Sequence, residues 1–313
     1  MEIKALLKLL TQIIYILCGL VSISTGIRGL KNEKAKIGTF LFWTILGIIF
    51  IFGEAIPYKV TGGLLVILAI ITVTKQLHIG KFENISSQFK IAQSEKLKNK
   101  IFIPAVLIGI AAFLILQFKI GKTAIPPALG IGGGSLVALL AAAIIIKPKF
   151  KETSEDTSRL LMQIGATAIL PQLLAALGAV FTKAGVGKVI AASISSVVPT
   201  GNIFVGIVIY AIGMVIFTMI MGNAFAAFSV ITAGIGIPFI IKNGGNPAII
   251  GALGMTAGYC GTLMTPMAAN FNIVPASILE IKDKYGIIKV QAPMALLLLV
   301  THIILMLLLF GVK

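Results

Sequence analysis

Residues Ile203–Met221 read IFVGIVIYAIGMVIFTMIM, a run in which only Tyr210 and Thr218 carry a side chain able to hydrogen-bond. No charged residue falls between Lys188 and Lys242 on either side of it. A helix needs about 20 apolar residues to cross the hydrocarbon core of a bilayer, so this run predicts a membrane span. Runs of the same kind recur at Ile37–Ile56, Ile101–Phe118, Ile125–Ile146, Leu160–Phe181 and Val290–Phe310. They are continuously apolar, without the alternating polar face of a barrel strand, and in lipid only helices and closed barrels satisfy their own backbone. The expected fold is therefore all-α and polytopic, with about eight to ten membrane segments.

Composition agrees. The chain is 58% hydrophobic and 12% charged, with a mean hydropathy of +1.06, where soluble domains run about 45–50% apolar and about 25% charged. The first apolar stretch, about Ala5 to Ile27, is too long for a signal-peptide core and lacks a small-residue cleavage site after it. It is expected to remain as a span. Cys18 and Cys260 lie in apolar surroundings, which argues against a disulfide framework or a thiolate metal site. No cofactor is expected.

A formal net charge of +16 would suit nucleic acid if it formed a patch, but it is divided among the links between spans. Arg28, Lys31, Lys34 and Lys36 form one cluster. Lys75, Lys81, Lys90, Lys96, Lys98 and Lys100 form a second, and Lys147, Lys149, Lys151 and Arg159 a third. The positive-inside rule places these clusters in the cytoplasm, where they also meet anionic membrane lipid. The expected location is thus the inner (cytoplasmic) membrane, multi-pass, with no nucleic-acid partner. Spans are expected near 5–27, 37–56, 61–74, 101–118 and 125–146, with the N-terminus outside; Lys4 and Lys8 oppose that orientation. The span at 61–74 is short, with Tyr58 a candidate start. Phe82, Ile85, Phe89 and Ile91 suggest a surface-lying helix in the polar segment 75–100.

Residues 1–159 are read as scaffold helices with cytoplasmic basic loops, and residues 160–313 as a transport half. In that second half the apolar runs are repeatedly interrupted. Breaks fall at Pro171, Pro199-Thr200-Gly201-Asn202, Gly222-Asn223, Pro238, Asn243-Gly244-Gly245-Asn246-Pro247 and Thr265-Pro266. Proline removes a helix hydrogen bond and disfavours helical geometry in the residue before it. In lipid the freed groups must be satisfied by protein or by a water-lined cavity. Discontinuous helices or re-entrant hairpins are therefore expected, the devices by which secondary transporters bind solutes near the midplane. Ordinary interhelical turns are the alternative for single breaks such as 199–202 and 243–247.

Between Thr157 and Leu279 there is no Asp and no Glu. A membrane proton relay normally uses an intramembrane carboxylate or histidine, so neutral coordination is the better expectation. Amides, hydroxyls and carbonyls accept a hard monovalent cation such as Na⁺, and half-helix N-termini suit a carboxylate. Two segments concentrate these groups. In Met221–Phe228 (MGNAFAAF), Gly222 and Asn223 predict an unwound point in a helix; a single interhelical hydrogen bond from Asn223 is the plainer alternative. In Gly254–Asn272, Gly254 and Gly258 have the spacing of close helix packing, whereas Thr265-Pro266 followed by Asn270 and Asn272 suggests a hairpin tip lining a cavity. Candidate substrate- or ion-binding residues are Asn223, Gly222, Thr262, Thr265, Pro266, Asn270, Asn272, Asn202 and Thr200. Glu54, close to Pro57, reads as a headgroup-zone residue, and His302 as an interface residue.

Enzyme motifs fail. Gly121-Lys122-Thr123 resembles the end of a phosphate-binding loop, but Leu116 stands where the upstream glycine is required. Gly130-Ile-Gly132-Gly-Gly134 lacks a preceding strand and the third glycine of a dinucleotide site. No HExxH is present, and His78 and His302 are too isolated to ligate a catalytic metal.

The phrases GNAFAAFSVITAGIGIPF (222–239), GGNPAIIGALGMTAGYCGTLMTPMAANFNIVPASILE (244–280) and KDKYGIIKVQAPMA (282–295) resemble a bacterial domain-of-unknown-function membrane family of about this length. That family is named as the larger subunit of a two-subunit 5-oxoproline (pyroglutamate) transporter. The resemblance implies a second, smaller membrane subunit as partner, a small carboxylate substrate and a coupling cation. In outline the chain is also similar to the ion-transporter superfamily of carboxylate carriers, whose broken helix would match Gly222-Asn223 and whose hairpin tip would match Thr265–Asn272. The usual Ser-Asn-Thr triplet is absent, and no internal repeat is found. The expected function is a subunit of a secondary active carrier, not an enzyme, with Na⁺ favoured over H⁺. The alternative is a non-transporting scaffold that stabilises a partner.

Overall fold

The computed structural model describes residues 3–80, 82, 87–121, 123–195, 202–279, 281–283 and 285–311. Among them, seven helical stretches are long and apolar enough to cross a membrane, and Lys36–Phe52, Tyr58–Val73 and Pro247–Leu263 are shorter apolar helices. The protein is all-α and polytopic; its only strands among the described residues are β1 (Lys119–Ile120) and β2 (Thr123–Ala124), which pair antiparallel. The chain divides into two compact units, Met1–Gly165 and Ala166–Lys313.

The first unit contains α1 (Ile3–Gly29), α2 (Lys36–Phe52), α3 (Tyr58–Val73), α4 (Ser87–Leu97), α5 (Ile103–Gln117), α6 (Pro127–Ile146) and α7 (Phe150–Ile164). Helices α1 and α2 form an antiparallel pair seated on glycine. A Cβ on Gly19 would lie 2.7 Å from the Gly47 carbonyl, and one on Gly47 would lie 2.7 Å from the Gly19 carbonyl. Small residues let backbones approach where no hydrophobic effect drives helices together. The β1–β2 turn joins α5 to α6, and Gly134 rests against the Ile108 carbonyl. The glycine run 130–134 is thus a packing surface: Gly130 meets Leu116, and Gly132 meets Ile14 of α1.

The described members of the three basic clusters share one end of this unit. Arg28, at the end of α1, pairs with Glu155 of α7 at 3.6 Å and donates to Ser154 Oγ at 3.2 Å. Asn32 Nδ2 donates to the His78 carbonyl at 2.8 Å, and His78 N donates to Thr39 Oγ1 at 3.1 Å. At the opposite end Lys8 pairs with Glu54 at 2.8 Å, both well exposed, so Glu54 lies just past α2 rather than within the span. In the segment expected to lie on the surface, helix α4 begins at Ser87 and runs through a 3₁₀ turn into α5. Lys98 there has a positive φ of 45. Lys81 and Ile85 of that expectation lie outside the described residues.

The second unit contains α8 (Leu170–Lys183), α9 (Val186–Ser195), α10 (Ile203–Met221), α11 (Ala224–Ile231), a π-helical segment (Thr232–Ile240), α12 (Pro247–Leu263), a short π turn (Ala269–Ile273), α13 (Val274–Ile278) and α14 (Gly286–Leu308). Gly222 and Asn223 separate α10 from α11, and the turn around Thr265 with the short π turn separates α12 from α13, so the helices of this unit are interrupted. Gly206 faces Phe239 and Ile240, and Gly213 faces Ile231 and Ile235, so α11 with its π segment runs antiparallel to α10. Gly254 receives the Tyr210 ring, Gly258 faces Met214, and Gly261 abuts the Val215 carbonyl, so α12 lies parallel to α10. Phe310 reaches Gly245 and Ala295 packs with Cys260, which sets α14 antiparallel to α12. Ile207, Tyr210, Met214, Ile235, Ile250 and Met306 fill the space between.

Pro238 sits inside the π segment. It supplies no N–H, and the wider π turn accommodates the missing bond. Gly236 leaves room for Tyr210, whose hydroxyl bonds Thr232 Oγ1 at 2.9 Å inside the core.

Candidate functional site

Helix α10 ends because Gly222 adopts φ 69, the left-handed conformation glycine tolerates, and its N–H closes on the Thr218 carbonyl at 2.7 Å. Asn223 then caps α11: its Oδ1 accepts from Phe225 N at 2.8 Å and Ala226 N at 3.4 Å. Two residues turn the chain back on itself. The Gly-Asn pair is therefore the apex of an antiparallel helix pair, not an unwound point within one helix.

The end of α12 meets this apex. Thr265 Oγ1 donates to the Met219 carbonyl at 2.9 Å and accepts from Met267 N at 3.2 Å, tying the turn after α12 to the last turn of α10. A Cβ on Gly222 would lie 2.5 Å from the Met267 carbonyl, so only glycine fits under that loop. Asn272 Nδ2 donates to the Thr262 and Thr265 carbonyls at 2.8 and 2.7 Å. Thr262 Oγ1 donates to the Tyr259 carbonyl at 2.6 Å. Phe225, Tyr259 and Phe271 form a chain of aromatic contacts beside the apex, each pair of ring centroids 6.1 Å apart.

Gly222, Asn223, Thr262, Thr265 and Asn272 thus gather at one end of the second unit, with Pro266 exposed between Thr265 and Met267. The backbone of Asn270 lies in the short π turn, and its side chain is outside the described part. Asn202 is at the other end of α10, where it caps the helix by accepting from Val205 N at 3.0 Å. Nineteen helical residues separate it from Asn223, roughly 28 Å of rise. Thr200 lies outside the described residues.

Three oxygens at the gathered end have no hydrogen-bond partner among the described residues: Thr218 Oγ1, Asn272 Oδ1 and Gln291 Oε1. Thr218 and Asn272 are 0% and 3% exposed. Both amide hydrogens of Asn272 go to backbone carbonyls, which fixes its oxygen facing away from them. Gln291 reaches this level because Ala295 packs with Cys260; one turn earlier on α14 stands beside one turn later on α12, near Met264. Sequence reasoning overlooked Gln291. Gln291 is the second residue of the run Val290–Phe310 and so resembles a span's polar edge, whereas α14 starts at Gly286 and places it a turn and a half inside the helix.

The electrostatics are those of neutral acceptors. No carboxylate occurs between Thr157 and Leu279, and no group of three His, Cys, Asp or Glu that could hold a metal is found among the described residues. The first N–H groups of α11 are engaged by Asn223, so that helix end has less to offer an anion than an uncapped one. The arrangement can accept a hydrogen-bond donor or a hard cation.

A family model described as a protein of unknown function (DUF979) matches residues 12–310. No curated protein and no solved structure matches the chain.

Proposed function

The chain belongs to the DUF979 family, and from that premise we propose that it is a subunit of a secondary active transporter, not an enzyme. It carries a small carboxylate, 5-oxoproline, down a cation gradient across the cytoplasmic membrane, with Na⁺ favoured over H⁺, and works with a second, smaller membrane subunit. One observation carries this reading: the ends of α10, α11 and α12 meet at a single level with buried neutral oxygens and no carboxylate. Helix ends brought together are how carriers expose backbone and side-chain dipoles to a solute. The lack of an acid in that segment favours a metal cation over a proton. The substrate and the partner follow from the resemblance of residues 222–295.

Cells expressing the chain with the smaller subunit should take up labelled 5-oxoproline, and Asn223→Ala together with Asn270→Ala should reduce that uptake. Uptake unchanged by the pair would remove the apex from the site. A second reading, a scaffold that stabilises a transporting partner, is favoured by the internal use of Asn223 and Thr265, whose side chains hold the helix ends together. Uptake by the smaller subunit alone would select it.

A further inference from the structure

Side-chain hydroxyls in these helices ordinarily bond the carbonyl one turn back. Thr11 does so to Leu7, Ser22 to Cys18, Thr25 to Val21, Thr72 to Leu68, Thr256 to Ala252 and Thr301 to Leu297, at 2.8–3.0 Å. Such a bond satisfies the hydroxyl where no water is at hand. Thr218, in the last turns of α10 and fully buried, does not make it. Its Oγ1 lies against the α12 backbone, 3.2 Å from where a Cβ on Gly258 would sit, and its Cβ is 3.0 Å from the corresponding point at Gly261. Asn272 is tied to the next residue, Thr262, and Gln291 lies one turn before Ala295, which packs with Cys260 in a cluster that Met264 also joins. Three elements thus bring unpaired oxygens to within about one turn of the end of α12.

Leaving a buried polar atom unpaired costs about 1–3 kcal/mol, so three such atoms at one level call for a shared partner. The partner must be electron-poor, since Asn272 has already donated both amide hydrogens. Divalent ions draw on carboxylates; the segment that carries Thr218 and Asn272 has none from Thr157 to Leu279, and Asp283 beyond it is paired with Lys289. We propose that Thr218 Oγ1, Asn272 Oδ1 and Gln291 Oε1 supply ligands to one monovalent alkali cation, Na⁺ in the first instance.

This deepens the carrier reading and rests on it for its purpose. With Asn223 closing the start of α11, the positive charge a carboxylate requires comes from the bound cation. Held by neutral ligands, the cation keeps its full charge in a medium of low permittivity and attracts the anion strongly. Cation binding then precedes carboxylate binding.

The test is the thermal stability of the purified full chain in detergent, titrated with NaCl against choline chloride at constant ionic strength. Wild type should be stabilised saturably by Na⁺. Thr218→Val and Gln291→Leu, which keep size and remove the oxygen, should each raise the half-saturating Na⁺ concentration about tenfold or more. Thr256→Val, whose hydroxyl bonds Ala252 within α12, should leave it unchanged. A wild type indifferent to Na⁺ would overturn the proposal and mean that water or a neutral donor satisfies these oxygens. A sodium effect equal in wild type and both variants would overturn the assignment to these residues. A sodium effect with no 5-oxoproline uptake would sink the transport reading and leave the cation site standing.

Discussion

At the scale of single residues, the apex between α10 and α11 depends on two side chains with different duties. Gly222 must be glycine because its φ is 69 and a Cβ would strike the Met267 carbonyl. Asn223 serves α11 by capping it. Its replacement by alanine should cost about 1 kcal/mol of stability, and Asn223→Ser should recover most of it, since serine also caps. Equilibrium unfolding in mixed micelles measures both. Loss of uptake in Asn223→Ala with stability restored by other means would give the residue a role beyond the cap. The types and positions of these residues were legible in the sequence, but their duty was not. An Asn between apolar runs looks the same whether it faces a solute or its own helix end. Only the direction of the following helix separates the two.

At the scale of elements, the second unit is organised by glycine. Gly254, Gly258 and Gly261 form the face on which α12 meets α10, and Gly254 takes the Tyr210 ring. Gly254→Ala should therefore destabilise the unit by about 1–3 kcal/mol through overpacking. The same change in a Tyr210→Leu background should cost less, with a coupling of at least about 0.5 kcal/mol in a double-mutant cycle. Additive costs would show that the two positions do not press on each other. The GxxxG spacing of Gly254 and Gly258 announced close packing at this contact. The π segment was not legible. Pro238 announced a break, yet the chain resolved it by widening the turn over nine residues rather than ending the helix. Outside the spans, Asp283 accepts from Lys289 Nζ at 2.9 Å and from Tyr285 N, contacts that hold its carboxyl below its ordinary 3.8. Because the folded value is depressed, this contribution is full above that range and fades as acid protonates the group.

At the scale of the molecule, membrane character and helical class were plain from the apolar runs, because the length needed to cross hydrocarbon is fixed by the bilayer. The clustering of basic residues at one end of the first unit followed from their spacing between spans, and the Arg28–Glu155 and Asn32–His78 contacts give it physical form. The meeting of three elements was not legible, since residues 218, 272 and 291 are brought together by the parallel packing of α12 on α10 and the antiparallel packing of α14 on α12, which no local pattern encodes. On a background lacking Cys18 and Cys260, Lys34→Cys and Lys75→Cys should react with an impermeant maleimide only after the cells are opened, and Lys59→Cys should react in intact spheroplasts. The reverse pattern would invert the orientation. The central claim, a cation-coupled carrier, is tested most directly in proteoliposomes holding the chain and its smaller subunit. An inward Na⁺ gradient should drive accumulation of labelled 5-oxoproline above the external concentration, and an equal K⁺ gradient should not. Accumulation that ignores the Na⁺ gradient, or its complete absence, would contradict the account.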